Sequence, residues 1–172
     1  MHGTRNGPPC TDTTNRVWEH VMLKGLYILG LDHFDKVYGP DEQRDIAKHV
    51  DIIAPPQSPQ MVKENPSILR DIDVIFSTWG APKLDEEFLA AAPNLKVMFY
   101  GAGSIRGFTT DAMWKRGVTV CSSWGANAIP VAEFALAQIL FSLKMGWKHI
   151  RNTHENHVFY PRYPVPGAYR TK

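Results

Sequence analysis

Cysteine is scarce in this chain. Two residues in 172, Cys10 and Cys121, lie far apart in unlike contexts. They do not make a disulfide framework, and they point to a reducing, cytoplasmic setting. Cys121, ending a predicted strand, is expected as a small buried apolar side chain. Charge of one sign is also missing: 19 basic and 17 acidic residues leave a net +2, with no like-charge run and no basic stripe. No nucleic-acid partner is therefore expected. No uninterrupted apolar run approaches the roughly 20 residues of a spanning helix, so no membrane partner is expected. The first residues, MHGTRNGPPCTDTTNR, have no apolar h-region and are rich in Gly, Pro, Thr and Asn. Residues 1–22 are expected to form a disordered tail. No G-x-S-x-G elbow occurs. His149, His154 and His157 are five and three apart, not the i, i+4 pair of a zinc helix, so no metal site is expected.

What is present is a regular alternation of β-rich and amphipathic stretches, with apolar residues at an ordinary 44% of the chain. Strands are predicted over Gly25–Leu29, Val50–Ala54, Asp73–Ser77, Leu95–Tyr100 and Val118–Cys121. Helices are predicted over Tyr38–Lys48, with Ile46 and Ala47 facing inward, over Ser58–Leu69 divided near Pro66, and over Leu84–Ala91 and Thr110–Arg116. Pro55-Pro56 closes the second strand, and Gly117 supplies a left-handed cap. Helical crossovers return the chain to the same end of the sheet, so the strands are parallel. The fourth strand's near-continuous apolar character predicts burial on both faces. The fold class is an open, doubly wound α/β sheet of five strands in the flavodoxin-like order 2-1-3-4-5.

Ligands of such sheets bind beyond the carboxyl ends of the strands. Three turns fall there: Ser77-Thr78-Trp79-Gly80-Ala81, Gly101-Ala102-Gly103-Ser104-Ile105-Arg106-Gly107, and Ser122-Ser123-Trp124-Gly125-Ala126-Asn127. In the second, Gly101 and Gly103 fit the start of a dinucleotide fingerprint. Arg106 occupies the third glycine's place, and no acidic residue ends a strand about 20 residues on. The turn is open to three readings: a pyrophosphate site, a tight turn leaving a buried strand, or a small-anion loop whose free N–H groups favour carboxylate. Asp32, His33 and Asp35 resemble a phosphoacceptor cluster, but Ser77 and Thr78 hold the place of its paired aspartate.

One long helix is predicted over residues 127–149, with Asn127 as N-cap and Pro130 in its first turn. Leu136, Ile139, Leu140, Leu143 and Trp147 form a stripe, while Val131, Phe134, Ala135 and Phe141 occupy other faces. A helix apolar on nearly every side needs more cover than one domain supplies. A second domain or subunit is expected over it.

The segments NLKVMFYGAGSIRGFTTDAMWKRGVTV and SSWGANAIPVAEFALAQILFSLK resemble the strand–GAG–helix passage and the N-x-x-x-V-A-E helix entry of the D-isomer-specific 2-hydroxyacid dehydrogenases. The resemblance runs from about Leu23 to Lys172. It implies a flavodoxin-like substrate domain over 23–126, a connecting helix over 127–150, and a linker over 151–172 leading to a nucleotide-binding Rossmann domain outside this chain. A terminal helix would return from there to complete the substrate domain. The family's catalytic arginine, glutamate and histidine belong to that other part, so no catalytic residue is expected here. Carried over by position, Trp79, Gly80, Ala102, Gly103 and Asn127 meet the substrate, and Ala102 and Phe134 approach the cofactor. The implied cofactor is NAD or NADP.

These readings converge on the substrate-binding half of an NAD(P)-dependent oxidoreductase. Its substrate would be a small 2-hydroxy or 2-keto acid such as glyoxylate or hydroxypyruvate. The chain is expected to be inactive alone, and the complete protein to be a homodimer through helix 127–149. Two other readings stand beside it: a non-catalytic dimerisation or ligand-sensing module, and a truncated gene product without independent function.

Overall fold

The computed structural model describes residues 22–157. The expected tail, apart from Met22, and the segment Phe159–Lys172 lie outside them. Five strands, β1 (Leu23–Tyr27), β2 (Val50–Ile52), β3 (Val74–Ser77), β4 (Val97–Tyr100) and β5 (Thr119–Ser122), pair in parallel in the order β2-β1-β3-β4-β5. This is the flavodoxin-like order expected. Between them run α1 (Phe34–Val37), α2 (Pro40–Ala47), α3 (Pro59–Glu64), α4 (Glu86–Ala91) and α5 (Asp111–Arg116), and after β5 come α6 (Trp124–Leu143) and α7 (Gly146–Asn156).

Local chemistry sets the ends of the short helices. The side chains of Ser58, Asp85 and Thr110 accept hydrogen bonds from the N–H groups of Met61, Phe88 and Met113, capping α3, α4 and α5. Pro66 divides the second crossover, from β2 to β3, into α3 and a 3-10 turn over Pro66–Leu69, as its missing N–H requires. Gly117, at φ 79°, closes α5.

Strand alternation sends side chains to two layers. One face carries Leu26, Ile28, Ile75 and Met98 against Val62, Leu69, Leu89 and Met113 from α3, the 3-10 turn, α4 and α5. The other carries Tyr27, Leu29, Val74 and Phe76 against Phe34, Tyr38 and Ile46 from α1 and α2. Among the described residues no helix covers β4 and β5 on that second face. Phe99, stacked on Phe76 at 5.4 Å, is 40% exposed, and Cys121 is exposed. A cavity of about 560 Å³ opens there, walled by Tyr38, Ile46, Phe76, Phe99 and Cys121. The expected burial of β4 on both faces and of Cys121 is therefore corrected, because both need a covering layer that the described residues do not provide. Ala47, expected inward, is exposed, because α2 turns Ile46 toward the sheet instead.

The C-terminal arm differs from its prediction in three ways. The helix begins at Trp124, so Asn127 is not its cap; the N–H of Asn127 already donates to the Ser123 carbonyl at 2.9 Å. Pro130 stands inside the helix rather than in its first turn. The single rod over 127–149 is broken at Lys144–Met145, where Met145 adopts a left-handed φ of 59°, and α7 runs on to Asn156. Phe141 and Trp147 pack edge to face across the break, leaving no room for a side chain at Gly146. No residue of α6 or α7 is buried. The 20 residues of α6 are also long and apolar enough, by length and composition, to cross a membrane. The sequence expectation missed this because Gly125, Asn127, Pro130, Glu133 and Gln138 interrupt the run without lowering its average enough.

Candidate functional site

The carboxyl ends of β1, β3, β4 and β5 carry the three turns singled out in the sequence, joined by a fourth after β1. Ser77, fully buried at the end of the central strand, anchors them. Its hydroxyl donates to the Ile28 carbonyl at 2.6 Å. Its own carbonyl accepts from the Tyr38 hydroxyl at 2.7 Å and from the Gly101 N–H at 2.8 Å. Gly101 has no room for a side chain, since a Cβ there would lie 2.5 Å from Val37.

Above this anchor the Gly101–Gly103 turn is held carbonyls-down. The Ser122 hydroxyl lies 2.9 Å from the Ala102 carbonyl and 2.8 Å from that of Gly103. The N–H groups of Ala102 and Gly103 donate to no backbone carbonyl among the described residues. The Asn127 amide stands against Gly103, its Nδ2 being 3.1 Å from where a Cβ would sit. Beside it begins α6, whose N-cap Ser123 makes no side-chain hydrogen bond to the first turn. The half-buried Gly103 amide, an uncapped N-terminus of a 20-residue helix and a carboxamide thus share one place, with Ala102 buried at 1% exposure below them. Each favours an anion, and a carboxylate takes such donors in charge-assisted hydrogen bonds.

The neighbouring wall comes from the β3 turn. Gly80 has φ 80°, and a Cβ there would fall 2.6 Å from the Gly30 nitrogen, so no other residue fits without displacing the β1 turn. Trp79 is 46% exposed, and His33 meets its ring edge-on at 5.5 Å.

The structure therefore brings Ala102, Gly103 and Asn127 together, with Trp79 and Gly80 on the adjoining turn. It does not bring Phe134 to them. Phe134 lies seven residues beyond Asn127, about 10 Å along the helix at the α-helical rise, and is 67% exposed. Sequence reading set Ser77 and Ser122 in the carboxyl-end turns and Tyr38 in a helix, but missed the hydrogen bonds by which they shape the site from below. Only long-range pairing, across 39 residues for Tyr38–Ser77 and 20 for Ser122–Ala102, reveals them.

The acid–base resources are few. Burial pushes the Tyr38 phenol far above its ordinary range, with Tyr27 adding to the shift, and burial raises Tyr27 and Tyr100 as well. These three phenols stay protonated and cannot serve as bases near neutrality. Two buried hydroxyls, Thr78 Oγ1 and Tyr27 Oη, have no partner among the described residues. No group of three metal-ligating side chains occurs among them either. The geometry can hold and orient a carboxylate; it offers one imidazole, His33, at its margin.

A family model for the D-isomer specific 2-hydroxyacid dehydrogenase catalytic domain matches residues 31–168. The chain belongs to this family. Its fold is that of solved relatives: a D-lactate dehydrogenase from Aquifex aeolicus complexed with NAD and lactic acid superposes with a TM-score of 0.54 at 20% identity, covering 80% of this chain and 39% of that one. An NAD-dependent formate dehydrogenase from Staphylococcus aureus in complex with NAD gives 0.54 at 22% identity, covering 78% of this chain and 41% of that one. The chain spans well under half the length of both. Comparison with curated protein sequences finds no match.

Proposed function

We propose that this chain is the substrate-binding part of an NAD(P)-dependent oxidoreductase acting on the CH–OH group of a 2-hydroxy acid, in the reducing direction on 2-keto acids such as glyoxylate or hydroxypyruvate. The observation that carries the reading is the convergence of the unpartnered Ala102 and Gly103 amides with Asn127 and the first turn of α6. The substrate carboxylate binds these donors. Ser122 and Ser77 keep the amides aimed, so little reorganisation is needed on binding. Trp79 and Gly80 wall the substrate on the β3 side.

A nicotinamide coenzyme, when bound, supplies the hydride. Of the two residues carried over as approaching it, Ala102 lies buried in the Gly101–Gly103 turn and Phe134 further along α6. Arg106 in place of the third glycine gives the β4 turn no pyrophosphate cradle. Coenzyme binding and the acid–base groups therefore fall to a second lobe that covers α6, and the chain alone is inactive. Two uncovered surfaces support this division: α6, and the second sheet face over β4 and β5, where a returning helix would complete the layer. In the working protein α6 also contributes to a homodimer. The setting is cytoplasmic, without nucleic acid or membrane as partner.

The test has two arms. Absorbance at 340 nm with NADH and glyoxylate or hydroxypyruvate should show no turnover by the 172-residue chain; robust turnover would refute the division of labour. Titration of ¹⁵N-labelled chain with lactate or oxalate should shift the Ala102 and Gly103 amides, and their indifference would refute the carboxylate site.

A second reading, a non-catalytic dimerisation or ligand-sensing module, draws on the exposed apolar side chains of α6 and on the scarcity of acid–base groups among the described residues. It requires self-association through α6 in the isolated chain, and sedimentation as a clean monomer would count against it.

A further inference from the structure

A further cavity lies at the far end of the arm. Where α6 stops, Met145 takes a left-handed φ of 59°, a backbone that residues other than glycine adopt rarely. Its N–H donates to the Ser142 carbonyl at 2.9 Å, and its own carbonyl accepts from the N–H groups of Lys148 and His149, each at 3.0 Å. This corner sets the end of α6 against the start of α7. A cavity of about 370 Å³ opens there, lined by Ser142, Met145, Trp147, Lys148, Arg151 and Asn152. Ser142 stands 15 residues beyond Asn127, about 22 Å along α6 at the α-helical rise, so the corner is separate from the Gly101–Gly103 turn.

The chemistry of the lining is one-sided. It holds two cations, a hydroxyl, a carboxamide and an indole, and no acidic side chain. Lys148 and Arg151 are three apart on α7 and so share one side of it. Neither makes an ion pair among the described residues, although Glu155 follows Arg151 by four. The exposed helix α2, by contrast, pairs Arg44 with Asp41 and Lys48 with Asp45. The sequence after α7, FYPRYPVPGAYRTK, contains no Asp or Glu and so carries no counter-charge. The N–H groups of Gly146 and Trp147 add two donors that meet no backbone carbonyl among the described residues. Trp147 is 56% exposed, its ring fixed edge to face by Phe141 at 5.1 Å.

We infer that the α6–α7 corner binds a small phosphate monoester, at a site independent of the one for the substrate carboxylate. A dianion with three free oxygens suits the lining. The planar Arg151 guanidinium takes two oxygens in a fork, and the Lys148 ammonium adds a point charge. The Ser142 hydroxyl and the Asn152 carboxamide supply neutral donors for the remaining lone pairs. The organic body of the ester lies against the Trp147 indole. The same chemistry disfavours the alternatives. A monocarboxylate brings one charge to two cations, and a neutral ring brings none.

The experiment titrates the ¹⁵N-labelled full chain, at constant ionic strength, with phenyl phosphate, inorganic phosphate, phenol and lactate. Phenyl phosphate should shift the Trp147 indole N–H and the Gly146 and Trp147 amides. Inorganic phosphate should move the same amides but bind at least about twofold more weakly, for want of a ring. Phenol and lactate should leave these signals in place. Lys148→Gln with Arg151→Gln should weaken phenyl phosphate at least about tenfold, with an unchanged thermal midpoint because both side chains are exposed. Lys115→Gln, which removes an exposed cation on α5, should bind as the wild type does. Silence of the corner signals toward phenyl phosphate would overturn the inference. So would equal shifts with phenol, which mark apolar contact alone, or an equal loss in Lys115→Gln, which marks diffuse attraction to net charge. Lactate shifts at Ala102 and Gly103 report the carboxylate site in the same titration, so the two readings stand or fall separately.

Discussion

The sheet lobe, residues 22–123, and the α6–α7 arm use similar apolar side chains to opposite ends. In the lobe Leu26, Ile28, Ile75 and Met98 are completely buried. In the arm Leu136, Ile139 and Leu140 are each more than half exposed, and Leu143 is 68% exposed. Each such side chain gains about 1.5–3 kcal/mol on full burial, so the lobe has realised this stabilisation and the arm has not. Apolar content alone therefore does not tell whether a segment is core. What separates the two regions is the number of layers around them: β-strands flanked by helices in the lobe, and in the arm a helix that meets only the Gly103 turn at its start and α7 at its end among the described residues.

The sharpest way to break this comparison is a matched pair of truncations. Leu26→Ala should cost about 2–5 kcal/mol by urea unfolding, since it opens a cavity in a closed core. Leu136→Ala in the isolated chain should change stability by no more than about 0.5 kcal/mol. Equal costs would show that α6 is packed in solution. Next in size is Gly80→Ala, which forces a left-handed backbone and a collision with Gly30. It should lose roughly 1–3 kcal/mol and broaden the Trp79 and His33 resonances. The arm is probed by Leu136→Glu with Leu140→Glu, which places charge on the exposed stripe. Any self-association seen by sedimentation should weaken at least about tenfold, as for charges set in an apolar contact, without change in the lobe's unfolding midpoint.

The smallest effect concerns the lobe's amino edge. Asp73 accepts from the Lys24 N–H at 3.0 Å and from Lys96 Nζ at 2.7 Å. Burial pushes its carboxyl up, but the Lys96 and Lys24 contacts outweigh burial and hold it below its ordinary value. A carboxyl with a depressed folded pKa contributes stability above its unfolded pKa, about 3.9, and loses it as pH falls through the folded value. Wild type should therefore lose stability on acidification below about pH 4 slightly more steeply than Asp73→Asn, measured by thermal midpoint against pH. The difference will be shallow, because Lys96 is mostly exposed and water screens the pair.

Strand number, parallel pairing and the positions of the three carboxyl-end turns were legible in the residues, because each depends on local signals, and the strand order followed from the fold class they imply. Val, Ile and Phe runs make strands, Pro55-Pro56 and Gly117 end elements, and alternation with helices imposes parallel pairing. The turns that carry Trp79, Gly80, Ala102 and Gly103 could be placed at the carboxyl edge for the same reason, whereas their substrate roles came only from the family resemblance. The break at Met145 escaped notice, since a left-handed non-glycine residue leaves no compositional mark. The start of α6 was misplaced by three residues because Asn127 and Pro130 imitate a helix entry that the backbone had already made at Trp124.

By itself the sequence determined which stretches are strands, which way they pair and which turns crowd the carboxyl edge, since these follow from periodicity and from backbone limits at Gly and Pro. Only the tertiary structure decided that the Ser77 carbonyl receives both Tyr38 and Gly101, that Ser122 holds the Ala102 and Gly103 carbonyls, and that the β1 and β3 turns merge into one rim. It also decided that Phe99 and Cys121 stay exposed and that no residue of α6 is buried. The reason is the range of the forces involved: local conformational preference acts over a few residues, whereas burial and hydrogen bonding between turns depend on which distant segments the sheet sets side by side.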